Sequence, residues 1–559
     1  MNILGVSALD KASCATLISD KGISTAIMEE RIVRVKNQNG FPIKALKTLF
    51  NYEKINEKDI DYVAYPFYNG YREAWCGPKS YLKDLLPTIF TNQPIASKFW
   101  HNAYFARWAY NHVINHINYH KELKQSLKKL NLLKKLKRVN HQLAHAASAY
   151  YTSGFQEKTL ILTLDWYGSD LAGSVCLGSK NGIEFLEKIK FPNSLGMFYA
   201  YVTAALGFKV DRHEGKIVGL AAFGDKNILF SKIYSKFKPT KTSFYYKCSA
   251  DFKFAKNLAK QYPREHVAAA YQAVLEKVVA DMVQKYVDKY KVKAVALAGG
   301  VCANVKMNQR VFEVNGIKKI FIHPAMGDDG TGTGAALYLL SKKQTLKPFR
   351  LNNSYFGPDY SEEEIKKELK KAKLKYQYYE EIEPVIAELI AKNKVVARFD
   401  GRMEYGPRAL GNRSILYQAT DPSVNDWLNK RLKRTEFMPF APVTLERFKK
   451  KCYKNITGAD YAAEFMTITF DCTDYMKKTS PAAVHVDNTA RPQITEKRIN
   501  PSYNKILEEY YKLTKIPTII NTSFNMHEEP IVCTPNDAIR SFKAGNLDCL
   551  AIGNFLVKN

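Results

Sequence analysis

The sequence predicts an α/β protein whose first part consists of two similar halves facing one another across a cleft, followed by a second α/β domain. Three observations predict it. Ile3 to Glu30 reads as an apolar run, a polar turn, a second strand, a turn ending in Gly22-Ile23 and a third strand. Leu160 to Phe191 repeats that order, with Asn181-Gly182 closing the corresponding hairpin. Lys342 to Pro358, with two prolines and no periodicity, then reads as a linker before a further run of strands and helices. A duplicated three-stranded meander followed by helices makes two related α/β halves, and clefts of that kind bind nucleotides. Domains are therefore expected at about 1–345 and 355–559.

The remaining elements follow in order. A helical pattern covers Val267 to Tyr290, and Lys293 to Asn304 is a buried strand running into a Gly299-Gly300 turn and a new helix. Beyond the linker, EEEIKKELKKAK is a charged helix and VVARFDGRMEYGP a strand entering a loop. The last 45 residues supply a strand (IPTIIN), a helix from Asn536 to Phe542 and a final strand in CLAIGNFLV.

The 559 residues include 46% hydrophobic and 13% aromatic side chains, enough apolar surface to offset the ordering entropy and to exclude a disordered chain. A membrane-spanning helix needs about 20 mostly apolar residues in a row, and no such run here is without Lys, Arg, Asp or Glu. The first residues lack a basic leader and read as a strand. Nine cysteines with no Cys-x-x-Cys pair suggest a reducing, cytoplasmic setting.

A formal charge of +30, from 84 Lys plus Arg against 54 Asp plus Glu, invites an anionic partner. Its densest run is Lys121 to Arg138, with leucines at 123, 127, 130, 133 and 136, which reads as a surface helix packed by its leucines. Lys-rich composition along the whole chain accounts for the rest, so the charge alone names no function.

Several motifs carry chemistry. His141 and His145 are four apart at the start of an Ala-rich helix, so both imidazoles share one face. Acidic residues end apolar strands, Asp165 in LILTLDWYG and Asp328-Asp329 after IFIHPAMG, and such strand ends point into ligand crevices. Two imidazoles with two carboxylates would suit iron, manganese or zinc. Gly299-Gly300, Asn304 and Asn308 offer close backbone approach and amides to a nucleotide. Gly327 to Gly334, GDDGTGTG, could cradle phosphates at a helix start. In the second domain, Arg402, Arg408 and Arg413 crowd with Glu404 and three glycines into fourteen residues, a density that points to an anion pocket. Lys433, Arg434, Arg491 and the Asn521-Thr522-Ser523 segment add donors.

Taken together, these segments resemble the O-carbamoyltransferases that include the nodulation-factor, cephamycin and tobramycin enzymes. The resemblance runs through ILGVSA, MEERIVRVKN, HQLAHAASAYY, LTLDWYG, GKIVGLAAFGD, ALAGGVCANVKMN and HPAMGDDGTGTGAAL. It continues through GRMEYGPRALGNRSIL, MPFAPV, HVDNTARPQ, INTSFNMHEEPIV and TPNDAIRSF. It implies an N-terminal domain of the actin-like ATPase superfamily (a duplicated ribonuclease-H-like fold), close to tRNA threonylcarbamoyltransferase, and a YrdC-like C-terminal domain. It implies that the C-terminal domain makes carbamoyl adenylate from carbamoyl phosphate and ATP, with Mg2+ accompanying ATP. The N-terminal domain would pass the carbamoyl group to a hydroxyl of a small-molecule or glycan acceptor.

Residue by residue, the resemblance assigns His141, His145, Asp165 and Asp328 to iron or another divalent metal. Gly299, Gly300 and Asn304 would hold the adenylate, with Lys216 beside them. Arg408, Arg491, Asn521 and Ser523 would hold carbamoyl phosphate or ATP phosphates, helped by Lys433 or Arg434, and Arg408 would also stabilise developing charge. Asp225 is preferred to Glu214 as the base for the acceptor hydroxyl. Two departures bear on these roles. The family commonly has His-Asp ahead of Ser after the first strand, where this chain has Lys11-Ala12 before Ser13. It commonly has Arg ahead of the PFAP proline, where this chain has Met438. A tRNA-modifying (threonyl)carbamoyl transferase is the alternative, disfavoured along with a nucleic-acid partner because that family resembles only the first domain. Neither the acceptor nor the oligomeric state is legible in the sequence.

Overall fold

The computed structural model describes residues 1–8, 11–89, 95–246, 251–434 and 437–559. The chain forms two compact units, Met1–Ser24 with Asn37–Arg350 and Thr25–Lys36 with Leu351–Asn559. Thr25–Lys36, read from the sequence as part of the first domain, groups with the second unit.

The first unit contains two five-stranded sheets of the same topology. In one, β1 (Ile3–Ser7), β2 (Cys14–Ser19), β3 (Gly22–Met28), β4 (Tyr62–Tyr65) and β5 (Leu136–Arg138) take the order β3-β2-β1-β4-β5. In the other, β6 (Thr159–Gly168), β7 (Leu171–Ser179) and β8 (Gly182–Lys190) form the meander. After a small ribbon of β9 (Phe237–Pro239) and β10 (Phe244–Tyr246), β11 (Ala294–Ala298) and β12 (Lys319–Ile322) complete the order β12-β11-β6-β7-β8. In each sheet the first strand pairs antiparallel with the second and parallel with the fourth, and the fourth pairs parallel with the fifth. This is the duplicated, ribonuclease-H-like arrangement expected of the first domain. The hairpin glycines Gly22 and Gly182 stand at φ +103° and +98°, a region closed to most side chains, which is why Lys-Gly and Asn-Gly mark the same turn twice.

The chain departs from the expected basic helix over 121–138. The helix Ile95–Lys129 stops there, Asn131 turns left-handed at φ 54°, and Leu136–Arg138 continues as the edge strand β5. The leucine packing is present where the helix is: Leu123 and Leu127 are fully buried, and Leu132 is buried beyond the helix end. The periodicity continued in the letters because a parallel edge strand and a helix both accept Leu and Lys.

The second unit is built on an eight-stranded sheet. Its strands are β13 (Gln377–Tyr378), β14 (Val396–Phe399), β15 (Arg413–Gln418) and β16 (Ala441–Leu445). Beyond a ribbon of β17 (Phe470–Asp471) and β18 (Thr489–Ala490) come β19 (Gln493–Thr495), β20 (Thr518–Ser523), β21 (Cys549–Ile552) and β22 (Phe555–Lys558). The order is β13-β22-β21-β14-β15-β20-β16-β19. The final strand read from the sequence is a hairpin, because Gly553 adopts φ +53° and returns the chain. No helix among the described residues is long and apolar enough to cross a membrane.

Candidate active site

The first site begins with the helix His141–Tyr151, whose first turn is capped by Asn140 accepting from the Leu143 N–H at 3.1 Å. His141 and His145 leave the same face of that helix. Asp165 stands on β6 and Asp328 in the turn after β12, and one ligand atom from each of the four residues lies within 4.8 Å of all the others. His141 Nε2 is 3.0 Å from Asp165 Oδ2 and 3.6 Å from Asp328 Oδ1, and His145 Nε2 is 3.5 Å from both carboxylates.

Each member is held from behind. Asp165 Oδ1 accepts from the Gly300 N–H at 3.2 Å, so the Gly299-Gly300 turn orients a carboxylate. Gly299 sits at φ +100°, and a Cβ there would lie 2.2 Å from the Leu164 carbonyl oxygen. The Asp328 carbonyl accepts from Ser7 and Thr331, which ties the acidic turn to the end of β1. The His141 ring stacks on Phe67 at 4.5 Å.

Both histidines are fully buried. Burial alone would lower the His145 pKa; Asp165 and Asp328 outweigh it and raise it to about 9. Burial likewise opposes charge on Asp165, yet the two imidazoles hold it well below the usual carboxylate range. His141 Nδ1 and both His145 nitrogens are buried without a hydrogen-bond partner. Orphaned buried nitrogens are costly in a finished core, whereas two imidazoles and two carboxylates facing inward match a first-row divalent metal. The residues fit such an ion.

Gly168 clears the space for His141, since a Cβ on it would come within 2.3 Å of His141 Cδ2. Gly168→Ala is therefore expected to push the ring away from Asp165 and weaken Zn2+ or Fe2+ binding at least about tenfold. Titration of metal into the stripped variant measures this, and an unchanged affinity would show that the ring position is not critical.

Other predicted residues have different work. Gly332 and Gly334 do not cradle phosphate: the helix starts at Thr331. Cβ atoms on these glycines would meet the β1 backbone near Ser7 and, at 1.8 Å, the Ala144 carbonyl oxygen. They permit close packing of the helix. Asn304 caps the helix Val305–Phe312 and pairs its whole amide with Gln272, accepting at 3.0 Å and donating at 2.8 Å. Both ends of that side chain are thus engaged by Gln272. Lys216 is buried in the helix Glu214–Ala221. Asp225 is exposed and caps the turn Lys226–Ile228, accepting from the Asn227 N–H. Glu214 accepts from the Asp211 N–H.

A cavity of about 230 Å³ adjoins the four-residue group. Asp165 and Asp328 line it together with Lys11, His112, His116 and Tyr167. His112 and His116 went unremarked in the sequence, although they repeat the four-residue spacing of His141 and His145.

The second site is organised by the sheet of the second unit. Ser414 on β15 lies opposite Ser523 on β20, Ala441 on β16 opposite Asn521, and Gln493 on β19 opposite Val443. Given those strand directions, the first residues of β15, β16 and β19 and the last of β20 share one edge of the sheet. Asn521 knits them together by donating to the Ala409 carbonyl at 3.2 Å and to Gln493 Oε1 at 2.8 Å. Glu404 Oε1 accepts from the N–H groups of Leu410, Asn412 and Arg413 at 2.8–3.0 Å, which fixes the loop that carries Arg408.

The arginine cluster divides by role. Arg413 is fully buried, lies over the Phe399 ring at 3.7 Å and donates to the carbonyls of Asp400, Gly401 and Asn412. Arg402 donates to the Gly357 and Phe356 carbonyls. Neither is presented to an anion, against the reading of the cluster as one pocket. Arg434 likewise grips the segment after β20, donating to Thr522 Oγ1, the Ser523 carbonyl and both Asn525 oxygens. Lys433 beside it is exposed, and Arg408 and Arg491 are partly exposed. Arg31 donates to the Gly406 carbonyl at 2.8 Å, and Arg34 to the Pro530 and Ile531 carbonyls at 2.7 and 2.6 Å. The MEERIVRVKN segment is thus a brace for the second site, a function its sequence did not disclose.

Comparison with known proteins names the family. The family described as Carbamoyltransferase N-terminus matches residues 2–337, and Carbamoyltransferase C-terminus matches residues 387–559. The uncharacterized protein MJ1058 of Methanocaldococcus jannaschii is 35% identical over 95% of this chain and 95% of its own. Nodulation protein NolNO of Sinorhizobium fredii is 29% identical over 97% of this chain and 78% of its own. Nodulation protein NolO of Bradyrhizobium diazoefficiens is 32% identical over 75% and 79%. Among solved structures, T. kodakarensis HypF aligns at 15% identity over 63% of this chain and 49% of its own, with a TM-score of 0.33, a likeness too loose to argue from. The chain belongs to the carbamoyltransferase family and is a carbamoyl-transferring enzyme.

Proposed function

We propose that the chain is an ATP-dependent O-carbamoyltransferase working in two steps. In the second unit, water cleaves carbamoyl phosphate to carbamate and phosphate, and a carbamate oxygen then attacks the α-phosphorus of ATP, so that pyrophosphate leaves and carbamoyl adenylate is the product. Arg408 and Arg491 serve the phosphates there, on loops that Glu404 and Asn521 hold at one sheet edge. In the first unit the carbamoyl carbon is attacked by a hydroxyl of a sugar or other metabolite, and AMP departs. His141, His145, Asp165 and Asp328 would hold a divalent metal, iron by family resemblance, which would supply Lewis acidity toward the leaving phosphate.

The observation that carries this reading is the buried His-His-Asp-Asp group bordering a cavity large enough for a small hydroxylated group. Purified, metal-loaded protein given ATP and carbamoyl phosphate is expected to release pyrophosphate only when both are present. Arg408→Ala should abolish that release, while His145→Ala should reduce carbamoyl transfer much more than pyrophosphate release. Equal loss of pyrophosphate release in both variants would refute the division into two sites. The acceptor is to be sought among sugars and glycans by the mass of one added carbamoyl group.

A further inference from the structure

The acceptor hydroxyl must lose a proton as it attacks, and the cavity beside Asp165 and Asp328 determines which groups can take it. Lys11 and Asp211 both line the cavity but pair with each other at 2.8 Å, so each is engaged by the other's charge. The remaining side chains able to relay a proton there, outside the metal-ligand set, are Tyr167, His112 and His116.

These three form one hydrogen-bonded unit. Tyr167 Oη lies 2.6 Å from His112 Nδ1, 3.0 Å from His112 Nε2 and 3.2 Å from His116 Nε2. His112 Nε2 is also 3.4 Å from the Glu73 carbonyl oxygen, which can only accept, so a proton on Nε2 has an acceptor on either side whereas a bare Nε2 would face that carbonyl. Nδ1 is then the acceptor nitrogen and Tyr167 donates to it. Glu73 is fully buried and immobilised, its carboxylate accepting from the Tyr68 N–H and from the Ser169 N–H and hydroxyl. The Glu73 carbonyl behind the imidazole therefore favours that tautomer, and Tyr167 lines the cavity. Its rings are also set by the neighbouring turn of the same helix, with His112 and His116 at 4.1 Å between centroids.

We infer that Tyr167 and His112 form a proton relay that receives the proton of the acceptor hydroxyl. This rests on the two-step reading above. As the acceptor oxygen bonds to the carbamoyl carbon, the bond from that carbon to the AMP oxygen breaks and AMP leaves with the electron pair. The acceptor proton passes to Tyr167 Oη, whose own proton moves to His112 Nδ1, leaving tyrosine neutral and the imidazole positively charged. Burial lowers the His112 pKa to about 4, so the ring rests unprotonated, in the accepting form, at neutral pH. His116 stands next to it, its Nε2 3.2 Å from the same tyrosine hydroxyl.

The test compares two nucleophiles in the full-length, metal-loaded enzyme supplied with ATP and carbamoyl phosphate. Water, like a sugar hydroxyl, must lose its proton to attack; hydroxylamine attacks through a nitrogen lone pair that is free at neutral pH. Carbamoyl transfer to water is read as AMP released without hydroxylamine, and transfer to hydroxylamine as hydroxyurea formed. In His112→Asn and in Tyr167→Phe the ratio of water transfer to hydroxylamine transfer should fall by about a hundredfold or more. Because the readout is a ratio, partial misfolding or slower adenylation cancels. A ratio equal to that of the unsubstituted enzyme, in either variant, overturns the relay. Absence of pyrophosphate release from the unsubstituted enzyme would instead overturn the two-step reading beneath it.

Discussion

Asp165→Asn should strip the first unit of its metal while leaving the fold in place. Asparagine can keep its oxygen toward the Gly300 N–H, but it turns an amide toward two imidazole nitrogens where a carboxylate had been. Metal affinity is expected to fall by roughly a hundredfold or more, since even outer partners of metal ligands are worth 10–100-fold. Carbamoyl transfer should fall with it, and pyrophosphate release should persist. Metal content by mass spectrometry and the two product assays check this together; a variant that retains stoichiometric metal would show that Asp165 is not a ligand.

The same residue predicts a pH signature in the metal-stripped protein. His145 has a folded pKa of about 9, above its unfolded value of roughly 6.5, so its contribution to stability is full below pH 6.5 and lost as pH rises through 9. Asp165 has a depressed pKa, so its contribution is present above about pH 3.8 and lost as pH falls further. Stripped protein should therefore lose stability between pH 6.5 and 9, and Asp165→Asn should flatten that decline because it removes one of the two charges that hold the His145 proton. Urea midpoints at the two ends of the range measure it.

The second large effect is expected at Glu404. Its Oε1 accepts from three backbone N–H groups while the side chain is 2% exposed, so Glu404→Ala leaves three donors stranded. Hydrogen bonds to a buried charged group are worth about 1.5–3 kcal/mol each and are not additive, which suggests a loss of about 4 kcal/mol. For a unit of roughly 200 residues this corresponds to a fall of about 8–16 °C in the midpoint of its unfolding. Glu404→Gln keeps an acceptor oxygen in place and should cost about 1–2 kcal/mol. A calorimetric transition within 2 °C of the parent for the alanine variant would show that the loop is held by other contacts.

What was legible in the sequence is what rests on local chemistry. The two meanders could be read because a left-handed glycine closes each hairpin, and turn residues signal themselves within a few positions. The four-residue spacing of His141 and His145 is equally local, and Asp165 and Asp328 were recognisable as acidic ends of apolar strands although 163 residues separate them.

What could not be read depends on which oxygen an extended side chain reaches. Arg402, Arg408 and Arg413 look alike in the sequence, yet two of them hold backbone carbonyls of the loop around them. Asn304 reads as a ligand amide until Gln272, 32 residues earlier, meets both its ends. Asp225 was preferred as a base for its nearness in sequence to a Gly-rich motif, whereas the residues that line the cavity come from a helix and a strand far apart along the chain. Repeating leucines likewise could not show that a left-handed Asn131 ends the helix.

The brace formed by Arg31 and Arg34 has a consequence for how the protein is made. Arg34 and its carbonyl partners at Pro530 and Ile531 are separated by nearly 500 residues. At a synthesis rate of about 5–20 residues per second, the arginine leaves the ribosome roughly 25–100 s before those partners exist. The first unit's main span, Asn37–Arg350, is complete in the meantime. Arg34 must therefore wait for these partners through the folding of one unit in order to join the other. Maturation of the second site is thereby tied to residues translated near the end, and a nascent chain that stalls before Pro530 leaves Arg34 without the carbonyls it grips.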